Sequence, residues 1–243
     1  MNSTVKAPLP SATASAFPLR SEKAGRTRRA VIEAAQRLFV DHGYVATSVQ
    51  AIAEAAEVSR ATVFNSVGGK PALLRACYDV ATVGDDDPVP LPQRPALLAV
   101  RDEPDQRRAV ALYATAIAGI GERLSGTYEV FRVAATTDLE TRTQWEQIQA
   151  ERLGGARGFV RVLAGKGPLR QGLDLDEAAD VVWVHIDASL FHRLVIERGW
   201  SRARFEAWFT RSLGDYLLEP ARPPVTTIAR GPRVSDEDRG ERR

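Results

Sequence analysis

Residues 31–74 read VIEAAQRLFVDHGYVATSVQAIAEAAEVSRATVFNSVGGKPALL, and the fold is decided there. Val31, Ala34, Ala35, Leu38 and Phe39 recur at helical spacing, while Arg26, Arg28, Arg29, Glu33 and Arg37 fill the other faces. That pattern predicts an amphipathic helix from Glu22 to His42. Gly43 can stop it with a left-handed backbone, leaving Tyr44 and Val45 to pack over the turn. Thr47 and Gln50 then have the spacing of a capping box. The next helix turns Val49, Ile52, Ala53 and Ala56 inward, and Glu57–Val58 makes a tight break. Ser59 can cap a second short helix reaching about Ser66. Val63 and Val67 anchor it and leave Arg60, Ala61, Thr62 and Asn65 toward solvent. Gly68 and Gly69 end it. Lys70 opens a further helix in which Pro71 is tolerated in the first turn, with Leu73, Leu74, Cys77 and Val80 on its apolar side.

Two short helices separated by a few residues have the form of a helix-turn-helix. In that unit the second helix enters the major groove with its N-terminal residues toward base edges. Arg60 has donors for phosphate or guanine, and Asn65 can pair with phosphate or adenine. The amide-rich helix start near Thr47 suits a phosphate. A plain helical core fragment has the same apolar pattern, so the residues alone leave both readings open.

Outward from this unit, residues 1–20 form a leader rich in Ala, Ser, Thr and Pro without a burial pattern, expected to be disordered. Residues 84–95 hold Asp85–Asp86–Asp87 and four prolines. They read as a solvated connector rather than a metal site, because consecutive carboxylates point apart and no His or Cys stands beside them. The body then repeats helical spacing at 105–124, 127–136, 139–163, 174–190 and 201–217. Asp174 or Asp176, and Ser201, are the expected caps. Residues 221–243 form a polar tail, expected to be mobile. The domain reading is a head at 21–68 and a larger helical body at 69–220, and the fold class is all-α.

Composition narrows the function. The chain has 243 residues and a formal net charge of +2, with 44% hydrophobic and 26% charged residues, which is ordinary globular usage. Residues 1–80 carry ten Lys or Arg against six Asp or Glu, whereas 81–220 carry 17 against 21. A basic end on an acidic body suits a polyanion-facing head joined to a differently employed module. No apolar run approaches the roughly 20 residues of a membrane span. The single Cys77 excludes an intrachain disulfide framework and points to a reducing, cytoplasmic setting. No metal motif, Gly-rich phosphate loop, nucleophile elbow or HExxH sequence is present, so neither cofactor nor enzymatic activity is expected. His185 and Asp187 do not share a helix face. A helical scaffold without specific DNA binding stays as the alternative.

Residues 27–74 closely resemble the tetracycline-repressor (TetR) family of bacterial transcription regulators, and VFRVAA at 130–135, GPLRQGLDLDEAADVVW at 167–183 and ERGWSRARFEAWFTRSLGDYLL at 197–218 resemble an actinobacterial branch of it. The resemblance implies a three-helix head on an all-helical body, acting as a homodimer on a near-palindromic double-stranded operator, most often as a repressor. It implies DNA contacts from Thr47, Ser48, Ser59, Arg60, Ala61, Thr62, Phe64, Asn65 and Lys70, with Arg28 added from the first helix. Phe64 stands where the family commonly has Tyr and cannot donate a phenolic hydrogen bond. Asn65 replaces a common His, Val67 a common Phe and Gly69 a small polar cap. The last two long helices are expected to form a four-helix dimer interface, with Val181, Leu190, Leu194, Phe205, Phe209, Leu213 and Leu217 as candidates. A cavity for a small lipophilic effector is implied in the body, with Tyr113, Ile117, Ile120, Tyr128, Phe131, Trp145, Ile148, Trp183 and His185 as candidate walls. Arg132 and Arg152 suit either an anionic ligand or neighbouring glutamates.

Overall fold

The computed structural model describes residues 16–220. Among them the chain is all-α and contains no strand. The head comprises α1 (Ala16–Ala46), α2 (Val49–Ala55) and α3 (Arg60–Ser66). The body comprises α4 (Lys70–Val83), α5 (Pro95–Asp102), α6 (Gln106–Ala134), α7 (Leu139–Ala164), α8 (Leu175–His185), α9 (Ala188–Phe191) and α10 (Arg202–Leu217). A π-helical turn, His192–Glu197, follows α9. Among the described residues no helix is long and apolar enough to cross a membrane.

Helix α1 starts at Ala16, inside the segment read as a disordered leader. The rest of that leader, and the tail at 221–243, lie outside the described residues. Gly43 interrupts α1 with φ 79° and ψ 170°, where a side chain would strain the backbone. Tyr44 packs over this break and stacks on Phe39 at 5.8 Å. Val45, expected beside it, is 79% exposed.

Two apolar cores organise the rest. Val31, Ile32, Phe39, Ile52 and Val63 of the head join Leu73, Leu74 and Tyr78 of α4, and Tyr128 and Phe131 of α6, in the first. The second lies deeper in the body and holds Tyr113, Phe159, Val182, Phe191, Phe205, Phe209 and Leu213. Helix α6 runs through both and packs against α1, α4, α5, α9 and α10. The two helices expected at 105–124 and 127–136 are this single one, with Ser125 and Gly126 inside it. Burial along almost its full length outweighs their weak helix propensity.

Gly121 has a packing reason. A Cβ there would come within 2.6 Å of the Phe191 ring. Gly121→Ala is therefore expected to destabilise the body by about 1–3 kcal/mol, despite the better helix propensity of alanine. A denaturant melt checks this, and an equal or more stable variant would refute it.

The helix predicted over 174–190 ends instead at His185. Asp187 accepts a hydrogen bond from the Ser189 amide and caps α9 anew. Helix α5 was absent from the sequence reading: its eight residues are too few to show a clear period. The caps at Asp174 and Ser201 form as expected, accepting from the amides of Glu177 and Arg204.

Candidate nucleic-acid interface

Helices α2 and α3 meet through a turn at Ala56–Ser59. Glu57 adopts φ 55°, the left-handed region, and this reverses the chain in a few residues. Ile52, Ala53 and Val63 are buried behind the turn. Ser59 Oγ accepts from the Thr62 amide at 3.0 Å and contacts Thr62 Oγ1 at 2.8 Å. The start of α3 is thereby fixed and its outer edge left open. Ser59, Arg60, Ala61, Phe64 and Asn65 are exposed along that edge. The Arg60 guanidinium lies 5.6 Å from the Phe64 ring centroid, so a cation and an aromatic surface share one face.

The expected cap at Thr47 shifts by one residue. Ser48 is the N-cap of α2 and accepts from the Ala51 amide at 3.0 Å. Thr47 is 2% exposed, and its hydroxyl is directed at the carbonyls of Leu38 (3.0 Å) and Gly43 (2.8 Å). It holds the end of α1 and presents no hydroxyl to a phosphate. Gln50 does not reach back to close a capping box; it donates to Glu54 at 2.7 Å.

Lys70 is half-buried. Its ammonium sits 4.3 Å from the Tyr44 ring centroid and donates to the Val45 carbonyl at 3.3 Å. Burial lowers its pKa, partly offset by the Asp138 carboxylate. Arg28 is also engaged internally. It donates to the Ser66 carbonyl at the end of α3 (2.9 Å) and to Asp86 (3.0 Å). Asp85 receives a bidentate pair from Arg94, both bonds at 2.7 Å. The acidic triplet is thus not a free solvated connector. Two of its carboxylates clasp arginines, one from the head and one preceding α5. Arg28 and Asp86 are 58 residues apart, a separation at which periodicity carries no signal.

Residues 31–77 match the model of the bacterial regulatory proteins of the tetR family. Over this stretch, from α1 into α4, the chain is similar to the heads of TetR-family transcriptional regulators. It is 29% identical over 171 residues to the uncharacterized HTH-type transcriptional regulator YdeS of Bacillus subtilis, spanning 70% of this chain and 79% of that one. Its fold is similar to that of NalD, the secondary repressor of the MexAB-OprM multidrug efflux pump in Pseudomonas aeruginosa. The TM-score is 0.60 at 20% identity, over 80% of this chain and 98% of NalD. FadR of Bacillus subtilis, solved in complex with stearoyl-CoA, is similar with a TM-score of 0.57 at 18% identity, over 76% of this chain and 96% of FadR.

Behind the TetR-type head, the nine residues expected to line one effector cavity are divided between the two cores. Tyr128, Phe131 and Ile148 lie in the first, with Ile120 and Trp145 against it. Tyr113 lies in the second, with Ile117 and Trp183 against it. Tyr113 stacks on Phe159 at 3.8 Å, a closed contact rather than a cavity wall. His185 bridges α8 to α10 through Ser212 Oγ at 3.2 Å, and burial lowers its pKa.

A polar cluster that sequence reading missed joins these parts. The Tyr128 hydroxyl donates to Asp187 at 2.7 Å, and Arg152 donates to that hydroxyl at 3.0 Å and lies 3.2 Å from Asp187. Arg152 also donates to the Trp183 carbonyl and sits against the Tyr128 and Trp183 rings. Burial would raise the Asp187 pKa, but Ser189, Arg152 and Tyr128 together hold it low. Arg152 therefore pairs with neither Glu151 nor Glu140, while Arg132 does pair with Glu129 at 2.8 Å. Cys77 is buried, and desolvation pushes its thiol up to about 12, which keeps it protonated and unreactive.

The expected dimer residues also separate. Phe205, Phe209, Leu213 and Leu217 are at most 1% exposed within the single chain. Helix α10 packs this stripe onto α6, so these four side chains are consumed internally and offer no surface to a second copy. Val181, Leu190 and Leu194 are half-buried. Val184 on α8 is 53% exposed, and Trp208 on α10 is half-buried beside His185.

Proposed function

We propose that the protein is a ligand-responsive transcription regulator that binds a near-palindromic operator as a homodimer, and that it acts as a repressor. The observation that carries this reading is the capped start of α3, with Ser59, Arg60, Ala61, Phe64 and Asn65 exposed on one edge and the helix anchored behind by Val63. Arg60 and Asn65 supply the base-reading or phosphate donors. Phe64 supplies an apolar surface, and Ser48 marks the phosphate-facing start of α2.

Two copies are proposed to meet on the outer face of α8 and α10, through Val181, Val184 and Trp208. That pairing sets the heads for adjacent major grooves about 34–36 Å apart, or a multiple of that spacing. The efflux-pump repressor and the acyl-CoA-bound regulator of similar fold support a lipophilic effector. We place its entry at the seam of the two cores, where the Tyr128 and Trp183 rings lie against Arg152 and Trp145 packs on Tyr128. The buried Trp183 Nε1 has no hydrogen-bond partner among the described residues, a donor that a ligand acceptor can satisfy. Binding there moves α6 and α8, and the head follows through α4 and the Arg28–Asp86 pair. The effector shifts the equilibrium by its differential affinity for the two states.

Selection from a random duplex library with the purified full-length chain tests the reading. One near-palindromic sequence should be enriched, with two chains on each minimal duplex. Affinity should fall steeply with salt, by about 10³–10⁵ between 50 and 200 mM if 6–10 phosphates are contacted. A monomer that binds every duplex alike would sink the proposal in favour of a non-specific helical scaffold.

A further inference from the structure

An open groove of 530 Å3 lies between the head and the body, at a place that none of the preceding roles uses. Its head wall is the outer face of α1, and its body wall is α6 and the π-helical turn. The volume suits a small organic ligand, for which sites of about 300–1,000 Å3 are usual. Thr127 Oγ1 and His192 Nδ1, both on the body wall, are buried and have no hydrogen-bond partner among the described residues. Thr127 is 0% exposed. Buried polar atoms of this kind are rare, and a bound group that pairs with them recovers their desolvation cost.

The unspent groups around the groove are mostly acceptors. His192 Nε2 lies 3.8 Å from Glu197 Oε1, and in the neutral tautomer that carries its proton on Nε2 the Nδ1 atom is an acceptor. Glu33 and Asp41 line the head wall and are exposed, and neither forms an ion pair among the described side chains. The other charged groups are largely committed. Glu122 pairs with Arg202 at 2.6 Å, and Arg123 donates to the carbonyls of Ala81 and Thr82. Arg37 alone stands between the two head-wall carboxylates on α1. Val40 (47% exposed) and Ile196 (59% exposed) add apolar surface from opposite walls.

We propose that this groove binds a small amphipathic amine. Its ammonium donates to His192 Nδ1 and Thr127 Oγ1 in the field of Glu33 and Asp41, and its hydrocarbon lies on Val40 and Ile196. The two walls belong to the head and the body, so an amine that fits one separation of them biases the head directly. This consequence, though not the site itself, rests on the regulator reading above.

Calorimetric titration of the full-length protein with n-hexylammonium chloride tests the site, with n-hexanol and hexanoate as neutral and anionic controls. One saturable site per chain is expected for the ammonium ion, at least tenfold tighter than for either control. Thr127→Val, and Glu33→Gln combined with Asp41→Asn, should each weaken ammonium binding at least fivefold. Thr127→Val should keep or raise the Tm, because it replaces an unpartnered hydroxyl with a methyl group, so its weaker binding would not be a loss of fold. No saturable binding, equal binding of the three probes, or binding indifferent to both variants would overturn the site. Saturable ammonium binding that leaves operator affinity unchanged would uphold the site and overturn its control of the head. A protein that selects no operator yet binds the amine as described would uphold the site while removing the regulator reading.

Discussion

Phe209→Asp is expected to unfold the body rather than to release a folded monomer. Phe209 is 0% exposed and lies edge-on to Tyr113 at 6.2 Å and against Phe205 at 6.1 Å. Losing the ring costs about 3–5 kcal/mol, as for Phe→Ala in a core. A carboxylate left without a cation costs several more, or takes up a proton. That sum is comparable with the whole stability of a typical domain, about 5–15 kcal/mol. Val184→Asp is the companion variant. Its site on α8 is already 53% exposed, so the monomer should keep its fold and Tm. If α8 forms the dimer face, Val184→Asp should instead lower the sedimenting mass and weaken operator binding. Circular dichroism melts and sedimentation velocity read both variants. A folded Phe209→Asp dimer would show that the α10–α6 core is misassigned, and a Val184→Asp dimer of unchanged strength would move the interface off α8.

Arg60→Ala and Asn65→Ala should each weaken operator binding by about 1–3 kcal/mol where the side chain makes a bidentate base contact, and should relax discrimination at one base pair. Where a side chain contacts phosphate, affinity should drop about equally on matched and mismatched duplexes, with a shallower salt dependence. Neither change should disturb the fold, because both residues are exposed and the Ser59 cap and the Val63 anchor remain. Thr47→Val is the informative contrast. The Thr47 hydroxyl is directed at the ends of α1 at Leu38 and Gly43, so the variant should cost head stability more than it changes base discrimination. Fluorescence anisotropy on matched and mismatched operators, with a thermal melt of each variant, separates these outcomes. Unchanged operator affinity for both Arg60→Ala and Asn65→Ala would place the reading surface elsewhere.

The head was the most legible part of the chain. Its second and third helices are short, and the limits of its elements are written in local chemistry: Gly43 where positive φ is needed, Ser59 at a cap, and glycines after α3. Register was less certain even there. Thr47 and Ser48 are adjacent and equally able to cap, and only the packing of α1 turned Thr47 inward and left Ser48 to accept from Ala51. In the body, local spacing reads α6 as two helices, at 105–124 and 127–136, whereas contacts with six other helices carry it through as one. The lining expected for one cavity fared similarly. Aromatic and aliphatic residues at helical spacing show that a face is buried, and the same pattern serves a cavity wall and a close-packed core.

The amino-acid sequence by itself determined the all-α class, the helix-turn-helix and the exposed edge of α3, because periodicity, capping residues and glycine conformations act within a few positions of the chain. Which partner each apolar stripe meets was decided by tertiary packing. The stripe Phe205–Phe209–Leu213–Leu217 would suit a second copy or the subunit's own α6 equally well, and the fold spends it on α6. Arg28–Asp86, Arg152–Asp187 and the groove of Thr127 and His192 bring together residues from separate helices and loops. Such contacts depend on how helices cross in space, and the spacing of residues along one helix does not encode that crossing.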